Sequence, residues 1–160
     1  MADVDPTLAR SSGGVRSAVE FTGDYRHSVD PKGRLVLPAK HRDRLQLGGF
    51  LTKFSGGCLA VFTAAEYEIV VSRLREQARN GELGIQTVRQ VAASTIDVKP
   101  DGQGRVLIPE SLRTWAGIDS DVVVAGMFNH IEIWPTTKWD ALQDQDEVMA
   151  GEDALARAAF

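Results

Sequence analysis

The chain predicts an α+β fold in which one strand-rich unit occurs twice, with helices joining and flanking the copies. Two observations carry this. The phrase DPKGRLVLP, Asp30 to Pro38, returns as DGQGRVLIP, Asp101 to Pro109. Downstream of it, the same offset of 71 pairs Arg42 with Arg113, Leu47 with Ile118 and Leu51 with Val122. After one inserted residue, LAVF (Leu59 to Phe62) lies over IEIW (Ile131 to Trp134), and Tyr67 lies over Trp139. A solenoid needs at least three repeats, so two copies mark a duplication, over residues 21–67 and 93–139.

Each copy reads as strand, turn, strand, short helix, strand, turn, strand. Phe21, Gly23, Tyr25, His27 and Val29 recur every second residue, the period of a strand with one buried face. After the turn, Leu35, Val36 and Leu37 form a short apolar strand. Pro38 suits the first position of a helix, where its missing N–H costs nothing. In the second copy Glu110 falls in the first helical turn and Gly117 stops the helix. DVVVAG and HIEIW complete the second unit as strands.

Between the copies, residues 68–92 read as a structured helical linker. Thr63 and Glu66 have capping-box spacing, and Tyr67, Val70, Val71, Leu74 and Ala78 follow at helical intervals. Arg73, Arg75, Glu76 and Arg79 then face outward. NGELG breaks this helix and IQTVRQVAA starts another. Residues 1–20 carry few large apolar side chains and read as a flexible extension. Residues 140–160 form an acidic C-terminal tail.

Composition sets the class. With 43% hydrophobic and 25% charged residues in 160, the chain suits a water-soluble protein with a real core. No apolar run reaches the roughly 20 residues that cross a bilayer, and the N-terminus lacks a secretory pattern. One cysteine, Cys58, allows no internal disulfide. A cytoplasmic location is expected. The net charge of −4 argues against a nucleic-acid partner until its distribution is read. Residues 24–44 hold six basic side chains against three acidic ones, whereas 140–160 hold six acids and only Arg157. The acidic tail dominates the total, so it does not veto a local basic surface.

The repeated phrase has a chemical logic. Asp30 and Asp101 can cap turn N–H groups or brace an arginine, and Gly33 and Gly104 supply a backbone with φ > 0. Arg34 and Arg105 are then presented at the start of a strand. A guanidinium fork there can take guanine O6 and N7 or grip phosphate oxygens. Lys32 adds a point charge in the first copy, where the second has Gln103. A purely structural hairpin with a surface ion pair accounts for the same spacing.

Catalysis finds no support. His27, His41, His130 and Cys58 are scattered, with no metal-ligand spacing, and the two SGG stretches lack a phosphate-binding pattern. Asp30 and Asp101 each have an arginine nearby, which favours two ionised carboxylates over an acid/base couple. No enzyme, cofactor, metal or small-molecule substrate is expected.

Four stretches carry a family resemblance: FTGDYRHSVDPKGRLVLPAKHRDRL, CLAVFTAAEYE, DGQGRVLIPESLRTWAGI and IEIW. Together they resemble the MraZ family, bacterial regulators with two SpoVT/AbrB-type modules, across about residues 21–145. The resemblance implies a duplicated swapped-hairpin β-barrel whose two halves come from one chain. It implies a nucleoid-associated regulator that binds short tandem promoter repeats of the division and cell-wall gene cluster as a homo-oligomeric ring. Carried over, the DNA-binding positions are Arg34, Arg105 and Lys32, and the turn-organising positions are Asp30, Gly33, Asp101 and Gly104. Family members usually begin near Phe21, so residues 1–20, with Arg10 and Arg16, are either an arm or the product of an upstream start codon. Two competing readings remain. A ring-forming scaffold needs no specific DNA. An AbrB-type antitoxin would carry one module and a long toxin-wrapping tail, unlike this chain.

Overall fold

The computed structural model describes residues 19–144 and 150–160; expectations placed on the remainder, Arg10 and Arg16 among them, lie outside the described residues. Eight strands are described: β1 (Asp24–Ser28), β2 (Arg34–Val36), β3 (Gly49–Lys53), β4 (Leu59–Thr63), β5 (Ile96–Val98), β6 (Arg105–Leu107), β7 (Asp121–Gly126) and β8 (Ile131–Pro135). Six helices accompany them: α1 (Ala39–Arg44), α2 (Ala64–Arg79), α3 (Ile85–Ser94), α4 (Glu110–Ala116), α5 (Thr136–Gln143) and α6 (Gly151–Ala159). The class is α+β, as expected.

Each copy keeps one hairpin of its own, β3–β4 and β7–β8, and its other two strands pair with the opposite copy. Six strands form one antiparallel sheet in the order β1-β7-β8-β4-β3-β5, and β2 pairs with β6 in a separate ribbon. The first strand of each copy thus extends the other copy's hairpin: β1 lies against β7, and β5 against β3. This is the hairpin exchange that the resemblance implied. The two ladders touch through a single bridge, Val29 to Leu35, and do not run on as one continuous hydrogen-bonded cylinder.

A pseudo-twofold axis follows from the register. In the central pair Ala60 faces Glu132, and in the ribbon Leu35 faces Val106. Each of these is a residue opposite its own counterpart in the repeat, which only a twofold relation produces. One correction to the sequence alignment results. Leu51 faces Val61 and Val124 faces Ile133, so the counterpart of Leu51 is Val124, not Val122. The second copy has two more residues before β7 and one fewer in its β7–β8 turn. Alignment by residue type does not see this slip, because Val122, Val123 and Val124 look alike.

Local signals place the helices. The Thr63 hydroxyl accepts from the Glu66 N–H at 3.2 Å and caps α2. Gly117, at φ 74°, ends α4 in the left-handed region. Pro38 and Pro109 are extended residues just before α1 and α4, not their first helical residues. Their carbonyls accept from the N–H groups three and four residues on. The tail forms α6, every residue of which is exposed.

One sheet face and the inner side of the ribbon enclose the main core. Leu51, Leu59, Val61, Val122, Val124, Ile131 and Ile133 meet Leu35, Leu37, Val106 and Ile108 there. On the opposite face Ala60, Phe62 and Tyr67 pack with Phe50, Val70 and Val71, so α2 covers the first copy's half. No helix among the described residues is long and apolar enough to cross a membrane.

His41 occupies a core position that Leu112 fills in the second copy. It is fully buried, set edge-on to Phe21 and Tyr25 at 5.3 and 5.4 Å between ring centroids. Among the described residues neither ring nitrogen has a hydrogen-bond partner. Burial, with Lys40 and Arg44 adding repulsion, lowers its pKa to about 4. The unfolded chain, near 6.5, takes up the proton first. Stability from this site is therefore complete above about pH 6.5 and falls as pH drops toward 4, by up to about 1.4 kcal/mol per unit. Urea unfolding at pH 7.5 and 5 should show this decline in the native chain and a clearly smaller one in His41→Leu.

Candidate nucleic-acid interface

The two repeated turns are superimposable in their bonding. In the first, Asp30 Oδ1 accepts from the N–H groups of Lys32 and Arg34, both at 2.9 Å, and Oδ2 accepts from Arg34 Nε at 2.7 Å. In the second, Asp101 Oδ1 accepts from Gln103 and Arg105, both at 2.9 Å, and Oδ2 from Arg105 Nε at 2.8 Å. One carboxylate thus closes the turn and fixes the arginine leaving it. The Arg34 N–H above all, then its guanidinium, holds Asp30 below the usual carboxylate range despite some desolvation; Arg105 does the same to Asp101. Both aspartates stay ionised at neutral pH.

Because Nε is occupied, each guanidinium is oriented while its Nη groups keep their donors. Neither Arg34 nor Arg105 has an Nη partner among the described residues. Their strands pair so that Arg34 faces Leu107 and Arg105 faces Val36. Directly opposed residues share a face, and residues two apart along a strand share it too. Arg34, Val36, Arg105 and Leu107 therefore line the outer side of the ribbon, while Leu35 and Val106 are buried beneath it.

Each turn is locked to the other copy. The Gly33 carbonyl accepts from Ile108 N–H at 2.8 Å, and the Gly104 carbonyl from Leu37 N–H at 3.0 Å. Both glycines have positive φ, 88° and 78°. A Cβ on Gly33 would sit 2.6 Å from the Ile108 carbonyl oxygen, and one on Gly104 2.5 Å from the Arg42 guanidinium.

That contact exposes two residues to which the sequence reading gave no site role. Arg42, from α1, lies against the second turn, and Arg113, from α4, against the first. Arg113 Nε donates to the Ile108 carbonyl at 2.9 Å and an Arg42 Nη to the Leu37 carbonyl at 3.2 Å. The signal was present, since the two pair at the repeat offset. Nothing in the sequence said that each would cross to the opposite turn. With Arg113, Lys32, Arg34 and Asp30 the first turn carries a formal +2; with Arg42, Arg105 and Asp101 the second carries +1.

The remaining chemistry-bearing residues do not converge on this face. Cys58 is buried, and burial pushes its thiol up to about 12. His130 bonds instead to Glu132, whose carboxylate also accepts from Trp134 Nε1 at 2.9 Å, a network along β8 on the sheet side away from the main core. His27 lies in β1. Among the described residues no cluster of histidine, cysteine or carboxylate side chains is placed to hold a metal.

The family model described as "MraZ protein, putative antitoxin-like" matches residues 21–82 and 91–159. This chain belongs to the MraZ family. Among curated relatives named transcriptional regulator MraZ, one from Acetivibrio thermocellus is 35% identical over 140 residues, spanning 88% of this chain and 97% of that protein. One from Salinispora arenicola is 40% identical over 127 residues, spanning 79% and 89%. One from Frankia alni is 40% identical over 135 residues, spanning 81% and 92%. MraZ proteins are a family of regulators, not of enzymes.

The steric test contrasts two glycines, one from each turn. Gly33→Ala forces a side chain into a left-handed backbone and against a carbonyl, which should cost about 1–3 kcal/mol. Gly102→Ala has open space and no positive φ, and should stay within about 0.5 kcal/mol of the native chain in urea unfolding.

Proposed function

We propose that this MraZ-family chain is a sequence-specific DNA-binding transcriptional regulator whose reading surface is the outer face of the β2–β6 ribbon. Arg34 and Arg105 are its base-reading or phosphate-gripping groups, and Lys32 is a phosphate contact. Asp30, Gly33, Asp101 and Gly104 organise the turns. The observation that carries this is the pair of arginines oriented through Nε with their Nη donors unspent. A guanidinium that only closed a turn would have no need to face solvent from a two-stranded ribbon, an element that the DNA major groove admits.

In this reading residues 21–67 and 93–139 are two modules, joined by 68–92, with 1–20 and 140–160 as extensions. The protein acts in the cytoplasm, on the nucleoid, as a repressor of the division and cell-wall gene cluster. One protomer presents few cations, and affinity for a duplex follows the number of phosphates neutralised. A homo-oligomeric ring on tandem promoter repeats supplies the remainder through avidity. Uncovered apolar surface away from the ribbon supports self-association: a cleft of about 680 Å³ lined by Val91, Ile96, Leu112 and Trp115, with Lys53 Nζ 5.2 Å from the Trp115 ring centre. The same cleft is what favours the scaffold reading, so the deciding experiment is on DNA.

The turns differ in charge, which sets an order of effects. Arg34→Ala should weaken binding to the DNA upstream of the protein's own reading frame by about 1–3 kcal/mol, and Arg105→Ala by less. Fluorescence anisotropy over a salt series, against a scrambled duplex, reads this. Equal losses would remove the asymmetry. Unchanged binding in both variants, with assembly intact, would leave the scaffold.

A further inference from the structure

The ribbon's outer face holds two residues that its cationic character does not explain. Val36 and Leu107 are 40% and 56% exposed, each directly opposite an arginine across the ribbon, Val36 facing Arg105 and Leu107 facing Arg34. Every other aliphatic side chain of β2 and β6 is buried. On a face built only to grip phosphate, these positions would serve better as polar or basic residues. We propose that Val36 and Leu107 read thymine, or another 5-methylated pyrimidine, by packing on its methyl group in the major groove. The inference rests on the DNA-binding role proposed for this ribbon and adds to it what the ribbon distinguishes.

The geometry constrains what these two side chains can meet. A ribbon that enters the major groove points its outer face at the base edges, with the phosphates along the walls. The thymine C5-methyl is the apolar group that base pairs display there, and aliphatic contact with it is a recognised mode of discrimination. Val36 and Leu107 are diagonal neighbours across the ribbon, about 7–8 Å apart. That span is close to two base steps of about 3.4 Å. They are related by the pseudo-twofold through Leu35 and Val106, so they approach the two strands of the duplex alike. The expected half-sites therefore carry a methyl on each strand, about two steps apart, with the flanking arginines over the neighbouring pairs. Charge complementarity selects DNA over a second protein as the occupant, since each aliphatic residue stands opposite an arginine with unspent guanidinium donors.

The test removes only the methyl groups. The probe is a duplex of the DNA upstream of the protein's own reading frame, compared with the same duplex carrying deoxyuridine for thymine, first throughout and then singly. Anisotropy titration of the full chain should show about a fourfold loss for each contacted methyl, the scale of burying one methyl-sized group. Val36→Ser and Leu107→Ser, both on the exposed face, should fold normally and bind thymine and deoxyuridine duplexes alike. Equal affinity of the native chain for both duplexes would overturn the proposal, as would serine variants that keep the discrimination. Serine variants that change the mass of the free protein while discrimination persists would assign the pair to a contact between copies instead. The DNA reading fails differently: Arg34→Ala would then leave both duplexes bound as before, or the native chain would bind neither.

Discussion

The structure depends on two backbone hydrogen bonds that cross between the copies, Ile108 N–H to the Gly33 carbonyl and Leu37 N–H to the Gly104 carbonyl. They join the turn of one repeat to the strand end of the other. Once made, they set the Ile108 carbonyl where a side chain at Gly33 would stand. They also bring Arg113 over the first turn and Arg42 over the second. The ribbon face is thus a joint product of both repeats. A single copy would have a turn with an exposed carbonyl, a bare strand edge and half a core, which is why the repeat is indivisible as a fold although it is divisible as a sequence.

The same constraint reconciles an acidic chain with a cationic surface. The crossing bonds gather Arg34, Arg42, Arg105 and Arg113, drawn from two distant segments, around one two-stranded ribbon. Among the described residues the carboxylates bonded to these arginines are the two aspartates that shape the turns, and both are consumed in local hydrogen bonds. The acidic excess lies in the tail. A partner approaching the ribbon meets the local field and not the total. The oriented guanidinium matters as much as its charge. Fixing Nε removes part of the rotamer entropy that a free arginine would lose on binding.

What was legible in the sequence is what is decided locally. The capping of α2 by Thr63, the stop at Gly117 and the two aspartate turns each need only a few neighbouring residues. The exchange of β1 and β5 was different: no residue in either strand encodes which hairpin it joins, and it came from family resemblance alone. The slip that makes Val124 the counterpart of Leu51 was hidden by three consecutive valines. Val36 and Leu107 illustrate the limit best. Each stands in an apolar triplet that reads as a strand, but the two-residue period of a ribbon with one wet face puts the middle member of Leu35-Val36-Leu37 outside. Arg42 and Arg113 were hidden for the opposite reason, as ordinary basic residues on short helices whose target lies across the dyad.

Joining the two copies in one chain allows them to differ, and the differences fall where a symmetric dimer would be frustrated. At the axis a dimer would set Ala60 against alanine or Glu132 against glutamate. Two buried carboxylates facing each other across a strand pair would repel, and one would have to take up a proton. Here Glu132 faces Ala60 and finds His130 and Trp134 on its own strand. Phe21 packs edge-on against His41 in the first copy, whereas Leu112, the counterpart of His41, lines the Trp115 cleft. Lys32 against Gln103 makes the two turns unequal in charge. Duplication with covalent linkage thus keeps the twofold frame that builds the ribbon while giving each end of it separate chemistry, a polarity that a true dimer cannot have.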